Sequence, residues 1–171
     1  ALEFMERDAI DWAIQYIDGI NVDIKAEIQA HLLIEVDGNY PDVLMLEAEK
    51  IMNVVEQFET DEILLADSED QKKALWRMRR GVAEAVKANS VYKEEDTVVP
   101  RYELPTLLKG IKAIGAKYGF KSVCYGHSGD GNLHVNIIKA VMTDENWKTE
   151  DPKCIREIFE LTVSLKGTLS G

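Results

Sequence analysis

Apolar positions along this chain switch between helical and strand spacing, and the switches mark out its elements. Ile10, Ala13, Ile14 and Ile17 recur at helical intervals before Gly19, which predicts a helix near residues 6–18. Residues 2–5 read as the end of a strand entering it. Leu32, Ile34 and Val36 alternate with His31, Leu33 and Glu35, the pattern of a strand with one fully buried face. Pro41 opens a helix with Leu44, Ala48, Ile51, Val55 and Phe58 as its apolar stripe. The short run 62–66 predicts another strand, and Asp67 and Ser68 offer N-caps to a helix carrying Leu75, Met78, Val82, Ala85 and Val86 inward. Periodicity fails over 92–100, which reads as an extended connection with at most a short strand at 97–99. Leu104, Leu107, Leu108, Ile111, Ile114 and Tyr118 restore the helical spacing, and Gly119 ends it. Residues 140–150 read as a polar loop, after which Pro152 opens a last helix with Ile155, Ile158, Phe159 and Thr162 inward.

Between residues 119 and 140 the pattern is that of a hairpin. Residues 122–125 are short and apolar, and residues 133–138 alternate with period two. The link between them, Gly126-His127-Ser128-Gly129-Asp130-Gly131-Asn132, has the glycines and the Asp-Gly pair that a tight reversal needs. Leu133, Val135 and Ile137 fall on one face of the second strand, and His134 and Asn136 on the other. The reversal can return His127 towards His134. Two imidazoles on a stiff turn resemble half of a transition-metal site, and Asp130, Asn132 and Asn136 add polar groups that an apolar core has no use for. A bare glycine-rich hairpin with no ligand is the competing reading. His31, alone on its strand, reads as structural.

Strand–helix–strand units interrupted by a hairpin predict an α+β fold. The plan that fits is an antiparallel sheet with helices packed on one face, ferredoxin-like, as an enlarged or duplicated βαββαβ unit.

Charge and composition narrow the function classes. The 171 residues suffice for one domain with a real core, and 46% apolar and 30% charged residues are ordinary for a globular protein. A net charge of −11 argues against a nucleic-acid partner. Cys124 and Cys154 make no disulfide framework, and Cys124 reads as a small buried apolar residue, so the expectation is a reducing, cytoplasmic setting. No apolar run is long enough to span a bilayer. Against the acidic background, three arginines within residues 77–80 stand out. With Met78 facing the core, Arg79 can be directed into a cleft to grip a carboxylate, and Lys93 can add a point charge. The acidic run Glu94-Glu95-Asp96 reads as facing solvent. No phosphate-binding loop, dinucleotide fingerprint or nucleophile elbow is present.

The stretch Gly126-His127-Ser128-Gly129-Asp130-Gly131-Asn132-Leu133-His134 resembles the signature of FAD-linked oxidases of the vanillyl-alcohol oxidase type. Within them it is similar to the branch of D-lactate dehydrogenase, D-2-hydroxyglutarate dehydrogenase and the glycolate oxidase flavin subunit. Trp76 to Arg80, the stretch from Val91 to Asp96 and Val98-Val99-Pro100 agree, and Gly167-Thr168-Leu169-Ser170-Gly171 looks like the start of a motif continuing Glu-His-Gly. The resemblance implies a single substrate-binding cap domain over residues 1–171, cut from a longer flavoenzyme whose separate domain binds FAD. It implies His127 and His134 as two ligands of a divalent metal, Zn or Mn, with a glutamate ligand and a histidine base beyond Gly171. It implies Asn136 as a substrate contact and Arg79 and Lys93 as holders of the substrate carboxylate. Ala83 stands where the hydroxyglutarate enzymes have a hydroxyl residue, which favours D-lactate or glycolate as the kind of substrate. Such a piece is expected to be inactive alone, to self-associate through its uncovered surface, and to come from a parent that is cytoplasmic or peripheral to the membrane. The alternative from another class is a stand-alone α+β metal-binding module without redox activity.

Overall fold

A computed structural model describes residues 1–20, 24–61 and 63–169 of the chain. Six strands, β1 (Leu2–Glu6), β2 (Ala30–Ile34), β3 (Tyr92–Val98), β4 (Lys121–Gly126), β5 (Asn132–Ile138) and β6 (Thr168–Leu169), form one sheet. Its order is β2-β1-β4-β5-β3-β6, and every pairing is antiparallel. The helices are α1 (Arg7–Tyr16), α2 (Pro41–Val55), α3 (Glu69–Asn89), α4 (Leu104–Tyr118) and α5 (Asp144–Ser164).

From residue 92 onward the chain runs β3-α4-β4-β5-α5-β6, with these strands in the spatial order β4-β5-β3-β6. That is a complete ferredoxin-like βαββαβ unit, as the sequence predicts. The preceding residues enlarge it: β1 pairs with β4, and β2 pairs with β1.

The prediction of helices on one face holds for the βαββαβ unit and not for the whole sheet. Leu107, Ile111, Ile114, Cys154 and Ile158 of α4 and α5 pack against Cys124, Leu133, Val135 and Ile137. Ala9, Ile10, Ala13, Met78, Val82 and Val86 of α1 and α3 pack against the opposite face, on Met5, Val123, Tyr125 and Ile138. Alternation along β4 and β5 supplies both cores: neighbouring residues such as Val123 and Cys124 point to different layers.

Other expectations need correction. The stretch 92–100 is no connection: β3 spans seven residues and lies between β5 and β6. Its period is hidden because charged residues stand on both faces. β2 is an edge strand without a fully buried face, and Leu32 and Ile34 are exposed. The stripe of α2 is only half-buried at Leu44, Ala48, Ile51 and Val55, and Phe58 is exposed. Of the strand expected at 62–66, Glu62 lies outside the described residues, and 63–66 joins no ladder among the described residues. The polar loop at 140–150 is largely the first turns of α5, capped by the Thr143 hydroxyl. Pro152 therefore sits inside that helix, where it removes one backbone hydrogen bond without ending it. The caps behave as expected at α3, where Ser68 and Gln71 form a capping box. No helix among the described residues is long and apolar enough to cross a membrane.

Two measurements follow. Gly131 has φ of 76°, and a Cβ there would stand 2.0 Å from the Val99 carbonyl oxygen. Gly131→Ala is expected to destabilise the fold by at least about 1–2 kcal/mol, the cost of a left-handed residue with a side chain, read as a lower urea midpoint at unchanged slope. Burial and the nearby Arg7 cation hold the His31 imidazole below its ordinary range. Below about pH 6.5 the unfolded chain therefore takes up a proton that the folded chain resists, so stability is full above that pH and falls below it. His31→Gln is expected to lose less stability than the parent chain between about pH 7 and about pH 5.5.

Candidate functional site

The hairpin tip is built by backbone geometry. β4 ends at Gly126, where a Cβ would come within 2.4 Å of the Asn132 carbonyl oxygen, so the two strands approach more closely than a side chain allows. The His127 carbonyl then accepts from the amides of Asp130 (2.9 Å) and Asn132 (3.1 Å), closing a single turn of 3-10 helix over Ser128–Asp130. This reversal brings the His127 and His134 rings edge to face, with centroids 5.8 Å apart. Tyr125 is the register partner of His134, and its ring lies 5.1 Å from that imidazole.

Each histidine has a carboxylate at its Nδ1. His127 Nδ1 is 2.9 Å from Glu3 Oε1. His134 Nδ1 lies 3.4 Å from Glu94 and 3.6 Å from Asp96, both on β3, where Asp96 is its register partner. These longer distances make no full hydrogen bond, and the buried nitrogen has no hydrogen-bond partner among the described residues. Asp96 in turn accepts from the Asn132 amide.

Arg79 reaches this site, but as the partner of Glu3. Its Nε and Nη2 lie 2.9 and 2.8 Å from Glu3 Oε2, both side chains are buried, and the guanidinium stacks over the Tyr125 ring at 5.1 Å. Arg77 and Arg80 line a shallow surface groove with Trp76 and Lys73. Burial and the Glu94 charge push the Tyr125 phenol up to about 12, against the pull of Asn136 and Arg79. Glu3 escapes sequence reasoning because one acid in a short strand carries no signal. Only the β1–β4 pairing, with Phe4 opposite Gly126, brings it beside a residue 124 positions away.

Lys93 is not brought to this site. It pairs in register with Ile137, which faces α4 and α5, and its ammonium contacts Asp151 of α5 at 2.7 Å. That carboxylate also holds the Lys93 ammonium above its ordinary range. One step along a strand changes the face, and the residue facing the histidines is Glu94. The acidic run is thus divided: Glu94 and Asp96 flank His134, while Glu95 is the register partner of Val135 on the other face. Asn136 shares the face of His134. It is buried, its amide donates to the Val123 carbonyl at 3.1 Å, and its Oδ1 has no hydrogen-bond partner among the described residues.

The pair His127 and His134 fits the first half of a metal shell. His127 Nδ1 is hydrogen-bonded to a carboxylate, the arrangement that fixes a ligating imidazole, whereas His134 Nδ1 only lies near two carboxylates. Among the described residues no group of three or more His, Cys, Asp or Glu completes a ligand set. The donors present are therefore fewer than the four a closed zinc site needs.

Residues 1–171 match the family model described as FAD linked oxidases, C-terminal domain. The chain is 31% identical over 176 residues to a D-lactate dehydrogenase of Anaerostipes hadrus, an alignment covering all of this chain and 37% of that protein. It is 29% identical over 173 residues to the glycolate oxidase subunit GlcD of Bacillus subtilis, covering 99% of this chain and 35% of the relative. It is 30% identical over 174 residues to a probable mitochondrial D-2-hydroxyglutarate dehydrogenase of Oryza sativa, covering 99% of this chain and 30% of the relative. The chain thus spans about a third of the length of these curated relatives. With the hairpin, its paired histidines and a family match over its whole length, the chain belongs to the C-terminal domain family of FAD-linked oxidases.

Proposed function

We propose that this chain is the substrate-binding cap of an FAD-dependent dehydrogenase or oxidase acting on a small 2-hydroxy acid of the D-lactate or glycolate kind. In this reading it works within a longer protein that supplies the FAD-binding domain. Family membership supports the flavin, and the names of the relatives support the substrate class. The observation that carries the rest is the facing pair His127 and His134, each with a carboxylate at Nδ1.

His127 and His134 would hold a divalent ion, Zn or Mn, with the remaining ligand and the general base supplied by another part of the longer protein. When bound, the ion supplies a Lewis acid for the α-hydroxyl and the flavin an acceptor for the hydride from the same carbon, so the hydroxy acid leaves as a 2-oxo acid. The chain's own residues set up that encounter. Glu3 and Arg79 orient His127, and Glu94 and Asp96 flank His134. Arg79 is neutralised by Glu3, and Lys93 by Asp151 on the other face. A substrate carboxylate approaching the histidines therefore meets Glu94 and Asp96, and a bound cation is needed to receive it. Asn136 lies on the face of His134, and its buried Oδ1, without a hydrogen-bond partner among the described residues, has capacity for one further hydrogen bond. Exposed apolar side chains on and after α2, among them Leu46, Val54 and Phe58, support self-association of the chain when it stands alone.

The test is turnover of the complete protein with D-lactate, glycolate and D-2-hydroxyglutarate, with and without chelator. Either His127→Ala or His134→Ala is expected to lower kcat/KM by more than about 100-fold, and chelation to do the same. A complete protein that carries no flavin, or variants with undiminished turnover, would overturn the reading.

A further inference from the structure

We propose that Glu3 is a positioning residue that sets which nitrogen of His127 carries the proton. The inference rests on the reading of His127 as a ligand under Proposed function. An ionised carboxylate only accepts hydrogen bonds. Glu3 Oε1, 2.9 Å from Nδ1, therefore calls for a proton on Nδ1, so that of the two neutral tautomers it selects the one protonated there. The lone pair is then on Nε2, the nitrogen left for a ligand.

Glu3 is itself held so that it cannot turn away. Its other oxygen, Oε2, receives both Nε and Nη2 of Arg79, and the side chain is only 6% exposed. Leu33 opposite it in β2 fixes its backbone in register, and the Ser128 hydroxyl donates to the Leu2 carbonyl at 3.1 Å, tying the turn to β1. Arg79 is held in turn by stacking on Tyr125. The imidazole is half-exposed, so without the Glu3 contact either tautomer would be open to it.

Glu3→Gln separates shape from charge. The Arg79 donors would take the new amide oxygen, so the amide NH2 would face Nδ1 and donate to it. His127 would then carry its proton on Nε2, and that nitrogen could no longer ligate without losing it. Glu3→Asp keeps a carboxylate and is expected to keep the original tautomer.

The experiment is proton–nitrogen correlation NMR of the imidazoles in the 171-residue chain, which has three histidines, together with titration by Zn²⁺. The parent chain is expected to show His127 protonated at Nδ1, Glu3→Gln to show it protonated at Nε2, and Glu3→Asp to resemble the parent. Zn²⁺ affinity is expected to fall about 10–100-fold in Glu3→Gln. A parent chain with the proton on Nε2, or Glu3→Gln with an unchanged tautomer, overturns the proposal. If Glu3→Gln fails to fold, the parent tautomer decides alone. A parent chain with the expected tautomer but no Zn²⁺ binding supports the role of Glu3 and instead counts against the metal reading on which its purpose rests.

Discussion

The site is organised by one buried ion pair, Glu3 with Arg79. Taking two charges out of water costs several kcal/mol each in general, and attraction repays this only when the remaining donors and acceptors are also satisfied. Here Glu3 accepts from Nε of Arg79 with one oxygen, which also lies 2.8 Å from Nη2, and is paired with His127 through the other, while the guanidinium lies over the Tyr125 ring. The pair joins α3 to β1 across 76 residues, and Glu3 joins β1 to the hairpin across 124. An apolar pair of similar volume could pack as stably, but it could not present an acceptor to an imidazole. What the charges contribute is therefore placement. The candidate site exists only once β1 has docked against β4, because no local segment contains both His127 and the group that orients it.

The two faces of the sheet divide the work. Towards α4 and α5 the sheet presents Leu133, Val135 and Ile137, an apolar surface that fixes the hairpin in place. Towards α1 and α3 it presents Met5, Val123, Tyr125 and Ile138, and beside them the polar group of Glu3, His134 and Asn136. The two helices on this second face are what the β1–β2 extension adds to the ferredoxin-like unit, and α3 brings Arg79. The enlargement thus does more than thicken the domain. It supplies both members of the buried pair, which a bare βαββαβ unit starting at β3 would lack.

What could be read in the sequence follows from how local each cause is. The hairpin was legible because three glycines, an Asp-Gly pair and a period of two all lie within a dozen or so residues, and the folded chain brings His127 and His134 together as that pattern implies. Helix α4 was legible for the same reason, with its stripe and its stop at Gly119. β3 was obscured because Lys93 to Asp96 places charge on both faces, which erases the alternation that identifies a half-buried strand. Pro152 misled because a proline is commonest in the first turn, yet the Thr143 cap starts the helix earlier. Family resemblance named Lys93, but assignment to a strand is unforgiving to a shift of one residue, and the register turns that side chain away. Glu3 left no trace, since its meaning lies wholly in a tertiary contact.

Lys93 still bears on the site from the far side. Its ammonium reaches the buried Asp151 carboxylate, linking β3 to α5. On the same strand the Thr97 hydroxyl donates to the Leu133 carbonyl at 2.8 Å, and just past its end the Val99 amide donates to the Gly131 carbonyl at 2.9 Å. These three contacts oppose sliding of β3 along β5. A slip of one residue would exchange the faces, taking Glu94 and Asp96 away from His134 and turning Lys93 and Glu95 towards it. An imidazole flanked by an ammonium group would be a poor cation ligand, because like charges disfavour each other. The cation that does not touch the histidines thus helps to preserve the register that keeps their surroundings acidic.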